Sequence, residues 1–425
     1  MELYSFASKQ ALLGLCFEGI ERLGEEYSEE LKRNPIGREL LMTWMGKAQQ
    51  IRRQNRKVNT VASKLFSMLR EDGFRCCILK GQGNALMYPN PYSRTPGDID
   101  VWIDASRERI MEYAQKKFEL GDDIRLQHLE TSLDGVPVEL HFFPCSMNNP
   151  IYHARLQKWF RRNADLQCSH IVGLPDGAGD IAIPTTAFNV IYQLTHLYHH
   201  FFDEGIGMRQ IIDYFLVVND FSKNVFLNND LSNHPVNFSN HPVPLSKEGS
   251  TFSPSPSSSG SGDVTAPSRC SEPLRSKDGG PSKVSPDCAG WDRLAIEGDN
   301  SATAVTSSAS TALVVVQREL KCLGLWKFAG AVMYVLHEAL GLPEEKMIAP
   351  MDEKRGKLLL AEILNGGNFG QHFTKYGHFT QQEMAKKYFL KIWRNMHFVR
   401  YYPAEALSEP IFRTWHFFWR FKHRR

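Results

Sequence analysis

From residue 1 to 75 the apolar positions recur at steps of three and four. Leu40, Leu41 and Trp44, and later Val61, Leu65, Met68 and Leu69, fall on one face of a helix at that spacing. The basic run "KAQQIRRQNRK" between them reads as a solvated helix face, with phosphate steering as the alternative. From Cys76 to Phe143 the period drops to two. "CCIL", "DIDVWI" and "VPVELHFF" are short, rich in β-branched and aromatic residues, and flanked by Gly, Pro or Asp, which predicts strands. The intervening "SRERIMEYAQKKFEL" returns to helical spacing through Ile110, Met111, Tyr113, Ala114 and Phe118. Helices alternating with a few strands predict an α+β fold, a small mixed sheet with flanking helices.

Beyond Pro184 the pattern is helical again, in "TTAFNVIYQLTHLYHHFF" and "GMRQIIDYFLVV". From Phe221 to about Ser310 Ser, Pro, Gly and Asn dominate. "SNHPV" occurs at 232–236 and again at 239–243, and no apolar period is sustained, which is the composition of a disordered insert. "LVVVQRELKCLGLWKFAGAVMYVLHEALGL" then resumes a helical period. The expected organisation is a helical segment at 1–75, a core at 76–183, a helical C-terminal domain made of 184–220 and 311–425, and an insert at 221–310.

Composition adds limits. With 425 residues and 42% apolar content the chain buries a sizeable core, and a formal net charge of +3 gives no general pull toward nucleic acid or a membrane. The eight cysteines are scattered without a Cys-x-x-Cys pair, as expected of reduced cytosolic thiols. No run of eighteen uncharged apolar residues is present, and the opening residues lack a basic region ahead of an apolar one. A cytoplasmic protein is expected.

The chemistry concentrates in "ILKGQGNALMYPNPYSRTPGDIDVWID", residues 78–104. Side chains two apart on a strand share a face, so Asp98 and Asp100 point the same way while Ile99 and Val101 enter the packing. Glu139 supplies a third carboxylate from a neighbouring strand. Three such carboxylates suit two Mg²⁺ ions roughly 3.5–4 Å apart, an arrangement for phosphoryl or nucleotidyl transfer. Upstream, Gly81 forms a tight turn before a short helix, and Lys80 and Arg94 bring positive charge to phosphate oxygens. Neither a dinucleotide fingerprint nor a P-loop fits these glycines. The plainer alternative makes Asp98 a turn cap and Asp100 a surface acid. His141 is read as pointing to the strand face opposite Glu139, in a structural role, and no general base is assigned.

The pattern "LKG…YP…R…GDIDVWI…VELHF" resembles the DNA polymerase β-type nucleotidyltransferase superfamily, and within it a bacterial branch described as uncharacterised nucleotidyltransferases. "HLYHHFFDEGIGMRQIIDY", "LGLWKFAGAVMYVL", "GGNFG" and "FRTWHFFWR" are similar to that branch too, so the resemblance extends over nearly the whole chain outside the insert. It implies that Asp98, Asp100 and Glu139 are the catalytic metal ligands. It also implies that Lys80, Gly81 and Gln82 contact the nucleotide, with Gln82 standing where Ser or Gly is usual.

Farther on, His196 and His200 lie one helical turn apart, as do Arg209 and Asp213. Core histidines are the plain reading. The resemblance places the string in a cleft opposite the sheet, with Arg209 on phosphate and Asp213 orienting it. "NGGNFG" reads as a turn between helices, or as backbone closing over substrate. "FRTWHFFWRFKHRR" is expected to be a core helix with a basic end, not a nucleic-acid or membrane patch. The resulting expectation is Mg²⁺-dependent transfer of a nucleoside monophosphate from an NTP to an acceptor hydroxyl with release of pyrophosphate. A small molecule, sugar, RNA end or protein all fit as acceptor. A non-catalytic or toxin/antitoxin-type nucleotide-binding module on the same fold is the alternative.

Overall fold

In the computed structural model, residues 2–33, 35–120, 125–230, 308–372 and 384–423 are described. Three helices, α1 (Glu2–Lys9), α2 (Leu13–Glu26) and α3 (Ser28–Arg33), lead into the long α4 (Arg38–Glu71). Val58, Val61, Ala62, Leu65, Phe66 and Leu69 line one stripe of α4 and are buried. The helix stops at Gly73, whose φ of 79° suits glycine, and the Phe74 amide reaches back to the Leu69 carbonyl at 2.9 Å.

Four strands follow: β1 (Cys76–Leu79), β2 (Ile99–Ile103), β3 (His128–Leu133) and β4 (Val136–His141), in the order β1-β2-β4-β3. β1 runs antiparallel to β2, β2 parallel to β4, and β4 antiparallel to β3. A short helix, α5 (Gly81–Ala85), leaves β1, and α6 (Arg107–Lys117) carries the crossover from β2. β3 is not among the strands the sequence period predicts. Asp134 (φ 50°) and Gly135 (φ 70°) close the β3–β4 hairpin, the left-handed pair that a two-residue turn requires. One sheet face, with Ile78, Ile99, Val101, Ile103, Val138 and Leu140, packs on α4. The other face carries Cys77, Leu79 and Trp102 into a second core, where Trp102 meets Phe160 and Phe188.

That second core is helical: α7 (Pro150–Ser169), α8 (Thr186–Asp203), α9 (Met208–Asp230), α10 (Ser308–Cys322), α11 (Trp326–Leu340), α12 (Glu353–Gly366), α13 (Met384–Met396) and α14 (Pro403–His423). A small hairpin, β5 (Ile171–Gly173) with β6 (Asp180–Ala182), separates α7 from α8. Helix α9 corrects the expected start of the insert. Phe221, Ser222 and Val225 are buried on it, and Ser222 Oγ donates to the Lys346 carbonyl at 2.9 Å. Residues 231–307 of the expected insert lie outside the described residues. The C-terminal helix also departs from expectation. α14 buries Glu405, Ala406 and Glu409, but Ile411 is 73% and Phe418 66% exposed, so it covers the core with one narrow face only. Among the described residues no helix is long and apolar enough to cross a membrane.

α14 is tied to α7 through a carboxylate. Glu405 accepts from the Asn148 and Asn149 amides at 2.6 and 3.2 Å, ahead of the first turn of α7. Burial outweighs these donors and pushes the Glu405 carboxyl from 4.5 up to about 7. A carboxyl whose pKa rises on folding adds stability that is complete below the unfolded value and is lost as pH rises through the folded one. Between pH 4.5 and 7 the wild type is therefore expected to lose stability through this group. Glu405→Gln should flatten that part of a stability-against-pH curve from urea melts, and an unchanged slope would rule out Glu405 as its source.

Candidate active site

β1 ends in an elbow. Lys80 is held at φ 53° and Gly81 at φ 30°, and α5 starts there, so the Lys80 side chain turns back over the sheet. Two asparagines of α4 fix this region from behind. Asn55 donates to the Tyr92 and Arg94 carbonyls at 2.9 and 2.7 Å, and Asn59 accepts from the Gln82 side chain. The expectation for Gln82 is thereby corrected: its side chain is 4% exposed, bonded to Asn59, and does not line the cleft. Of the basic run 47–57, no residue lines the cleft either; Arg52 pairs with Glu21 and Arg56 lies over Tyr92.

The parallel pairing of β2 and β4 places Asp100 opposite Glu139. Asp100 Oδ1 and Glu139 Oε2 each lie 3.0 Å from the same atom, His141 Nε2, so the two carboxylates are at most twice that distance apart. Asp98, one residue before β2, lines the same cleft, which has a volume of about 570 Å³. His141 corrects a second expectation. It stands two residues after Glu139 on one strand, and the period of two puts both on the same face.

The charges interlock. Lys80 Nζ lies 3.0 Å from Asp100 Oδ1 and 2.8 Å from His196 Nε2. Burial alone would raise the Asp100 pKa, but Lys80 and His141 outweigh it and hold this carboxyl well below the usual range. Asp98 carries the burden of the pair: the charge of Asp100, then burial, then Glu139 push it up to about 6. His141 is raised to about 9, because hydrogen bonds to Asp100 and Glu139 overcome its burial. A neighbour opposes this. Gln127 Nε2, which donates to the Pro144 carbonyl at 3.1 Å, lies 3.3 Å from His141 Nδ1 and favours the neutral ring with its proton on Nε2. Either form directs an Nε2–H at the two carboxylates.

His128, on β3, went unnoticed in the sequence. The hairpin sets it opposite His141, with Nδ1 3.3 Å from Glu139 Oε2, and burial followed by the charge of His141 lowers its pKa to about 4. His128, Glu139 and His141 each offer one ligand atom within 4.8 Å of the others.

The opposite wall comes from α8 and α9. His196 and His200 both line the cleft, with Nε2 atoms 3.1 Å apart, and burial followed by Lys80 depresses the His196 pKa. The described residues bring no third metal ligand to this pair. Asp213 does not orient Arg209. It grips Arg94 through two 2.8 Å bonds and accepts from the Tyr88 hydroxyl at 2.7 Å. Arg94, only 5% exposed, therefore spends its fork on Asp213. Arg209 donates to the Thr95 carbonyl at 3.0 Å, while its Nε has no partner among the described residues. Phe369 of "NGGNFG" sits on the cleft wall at φ 52°, 5.8 Å from the Arg209 guanidinium.

Comparison with known proteins adds three findings. The family described as "Uncharacterised nucleotidyltransferase" matches residues 1–232, which contain the sheet and α8 and α9. The chain is similar to an antigenic nucleotidyltransferase-like protein from Paracoccidioides brasiliensis, known from a crystal structure, at 16% identity over 42% of this chain and 88% of that one, with a TM-score of 0.26. No curated protein matches.

Proposed function

Because the chain belongs to the uncharacterised nucleotidyltransferase family, we propose that it transfers a nucleoside monophosphate from an NTP to an acceptor hydroxyl. The bond formed is between the acceptor oxygen and the α-phosphorus; the bond broken is the α,β-anhydride, and pyrophosphate and the hydroxyl proton leave. The observation that carries this reading is the convergence of Asp100 and Glu139 across paired strands on one imidazole nitrogen, with Asp98 beside them in the cleft.

The donor set fits a divalent cation. Three carboxylates face one cleft, and two of them are satisfied by positive or proton-donating groups placed where such a cation would compete. Asp98, Asp100 and Glu139 would hold it, and carboxylate oxygens suit Mg²⁺. When bound, the cation polarises the phosphate and lowers the barrier to attack by the hydroxyl. The chain's own residues do the rest. Lys80 offsets the carboxylate charge from the floor of the site, His196 holds its ammonium in place, and Arg209, which lines the cleft, offers its guanidinium to phosphate oxygens. In this reading residues 76–183 are the catalytic core, and 184–230 with 308–372 and 384–423 supply the wall that takes the acceptor.

One observation favours the non-catalytic alternative: Asp100 is already neutralised by Lys80 and His141. Incubating the protein with each α-labelled NTP, Mg²⁺ and a cell lysate separates the two readings. Label is expected to move from one NTP to a macromolecule or metabolite as pyrophosphate appears. Nucleotide binding with neither event would favour the module.

A further inference from the structure

His128 is a buried polar side chain of the cleft that the proposed transfer leaves unused. It is 8% exposed, and neither ring nitrogen has a hydrogen-bond partner among the described residues. A buried polar group left in that state costs roughly 1–3 kcal/mol, so its presence needs a ligand to account for it. Its surroundings narrow the choice. Glu139 Oε2 is 3.3 Å from Nδ1, and His141 is its cross-strand partner. Two imidazoles and a carboxylate converge there without any thiol, on a hairpin whose two-residue turn locks the register.

We propose that His128, Glu139 and His141 form a cation site selective for a borderline divalent transition ion, of the Zn²⁺ or Co²⁺ class, over Mg²⁺. Mg²⁺ takes oxygen ligands and surrenders its waters reluctantly, whereas imidazole nitrogen is a preferred ligand of zinc and its neighbours. Ligation through His141 Nε2 leaves Nδ1 to donate a hydrogen bond. That proton would face Gln127 Nε2, itself a donor held by the Pro144 carbonyl, so the Gln127 side chain must move aside when the ion binds. The other histidine pair makes a poorer site, because the Lys80 ammonium already occupies the space at His196 Nε2. The inference shares with the proposed transfer Glu139 as a ligand and His141, whose Nε2 faces both Asp100 and Glu139; His128 belongs to the new site alone.

Titration of Zn²⁺ into the full-length, metal-stripped protein tests it, with the visible absorption of Co²⁺ reporting nitrogen ligation. One tight Zn²⁺ equivalent is expected to survive an excess of Mg²⁺. His128→Gln should weaken Zn²⁺ at least about 100-fold, as loss of a ligand exceeds loss of an outer partner. His141→Gln should do the same, and the double variant His196→Ala/His200→Ala should bind as the wild type does. Thermal melts establish that each variant is folded. The site is refuted if folded His128→Gln, or folded His141→Gln when the first does not fold, keeps wild-type Zn²⁺ affinity, or if Mg²⁺ displaces Zn²⁺ at comparable concentration. Histidine-dependent Zn²⁺ binding without pyrophosphate release from any NTP would sink the transfer and leave the site standing; release without such binding would do the reverse.

Discussion

Asp100→Asn is expected to lower the rate of pyrophosphate release about 10³-fold, a loss of roughly 4 kcal/mol of transition-state stabilisation. The substitution keeps shape and one acceptor while removing the charge at the centre of the carboxylate group. Stability gives an independent reading. An acid crowded only by Asp98 would gain from neutralisation, since the repulsion that raises Asp98 disappears. Asp100, however, holds Lys80 Nζ at 3.0 Å and His141 Nε2 at 3.0 Å in a site where it is 4% exposed. Losing its charge leaves a part-buried ammonium without its nearest counter-ion, with Asp98 and Glu139 still acting on it, and the expected outcome is a loss of about 1–3 kcal/mol in metal-free buffer. Urea melts and a pyrophosphate assay on the same preparations decide both parts. A variant as active as the wild type removes Asp100 from catalysis; a variant more stable than the wild type means the Lys80 pair is weaker than its geometry implies.

How much of this site could be read from the sequence follows from the range of its interactions. The carboxylates Asp98, Asp100 and Glu139 sit in short runs where a period of two dictates which residues share a face, and that local rule suffices. His141 obeys the same rule, two residues from Glu139 on β4, and so shares its face. His128 was within reach by a different route. Asp134-Gly135 is a two-residue hairpin signal, and counting outward from Leu133 opposite Val136 brings His128 opposite His141. "HLETSL" alternates too weakly to announce a strand without that turn. The partners of Arg94 and Gln82 were out of reach, because Asp213 is 119 residues away and Asn59 lies on a separate helix. Helical spacing says that Arg209 and Asp213 share a face; it does not say which guanidinium from elsewhere arrives between them. The helical period resuming after residue 310 is likewise a local property, but whether α14 is core or cover depends on what packs over it.

The Arg94–Asp213 pair gives the largest stability effect expected in the cleft wall. Asp213 accepts two bonds from Arg94 and one from Tyr88, and Arg209 stands near enough for the charge of Arg94 to lower its pKa, second only to burial. Asp213→Ala therefore strands one buried guanidinium beside another, and a cost of about 3–5 kcal/mol is expected. Tyr88→Phe removes a single bond to the same carboxylate and should cost about 1 kcal/mol. Arg94→Met combined with Asp213→Leu removes both charges together, so the double variant should be more stable than Asp213→Ala alone. NTP affinity separates this structural role from the one the sequence suggested. If Arg94 served phosphate directly, Arg94→Met/Asp213→Leu would lose nucleotide binding out of proportion to stability. With the fork of Arg94 closed on Asp213, binding should instead depend on Arg209, whose Nε lacks a partner among the described residues. Titrating NTP into the folded double variant and into Arg209→Met settles which guanidinium meets the phosphates: a double variant that binds no NTP while Arg209→Met binds normally would return that role to Arg94.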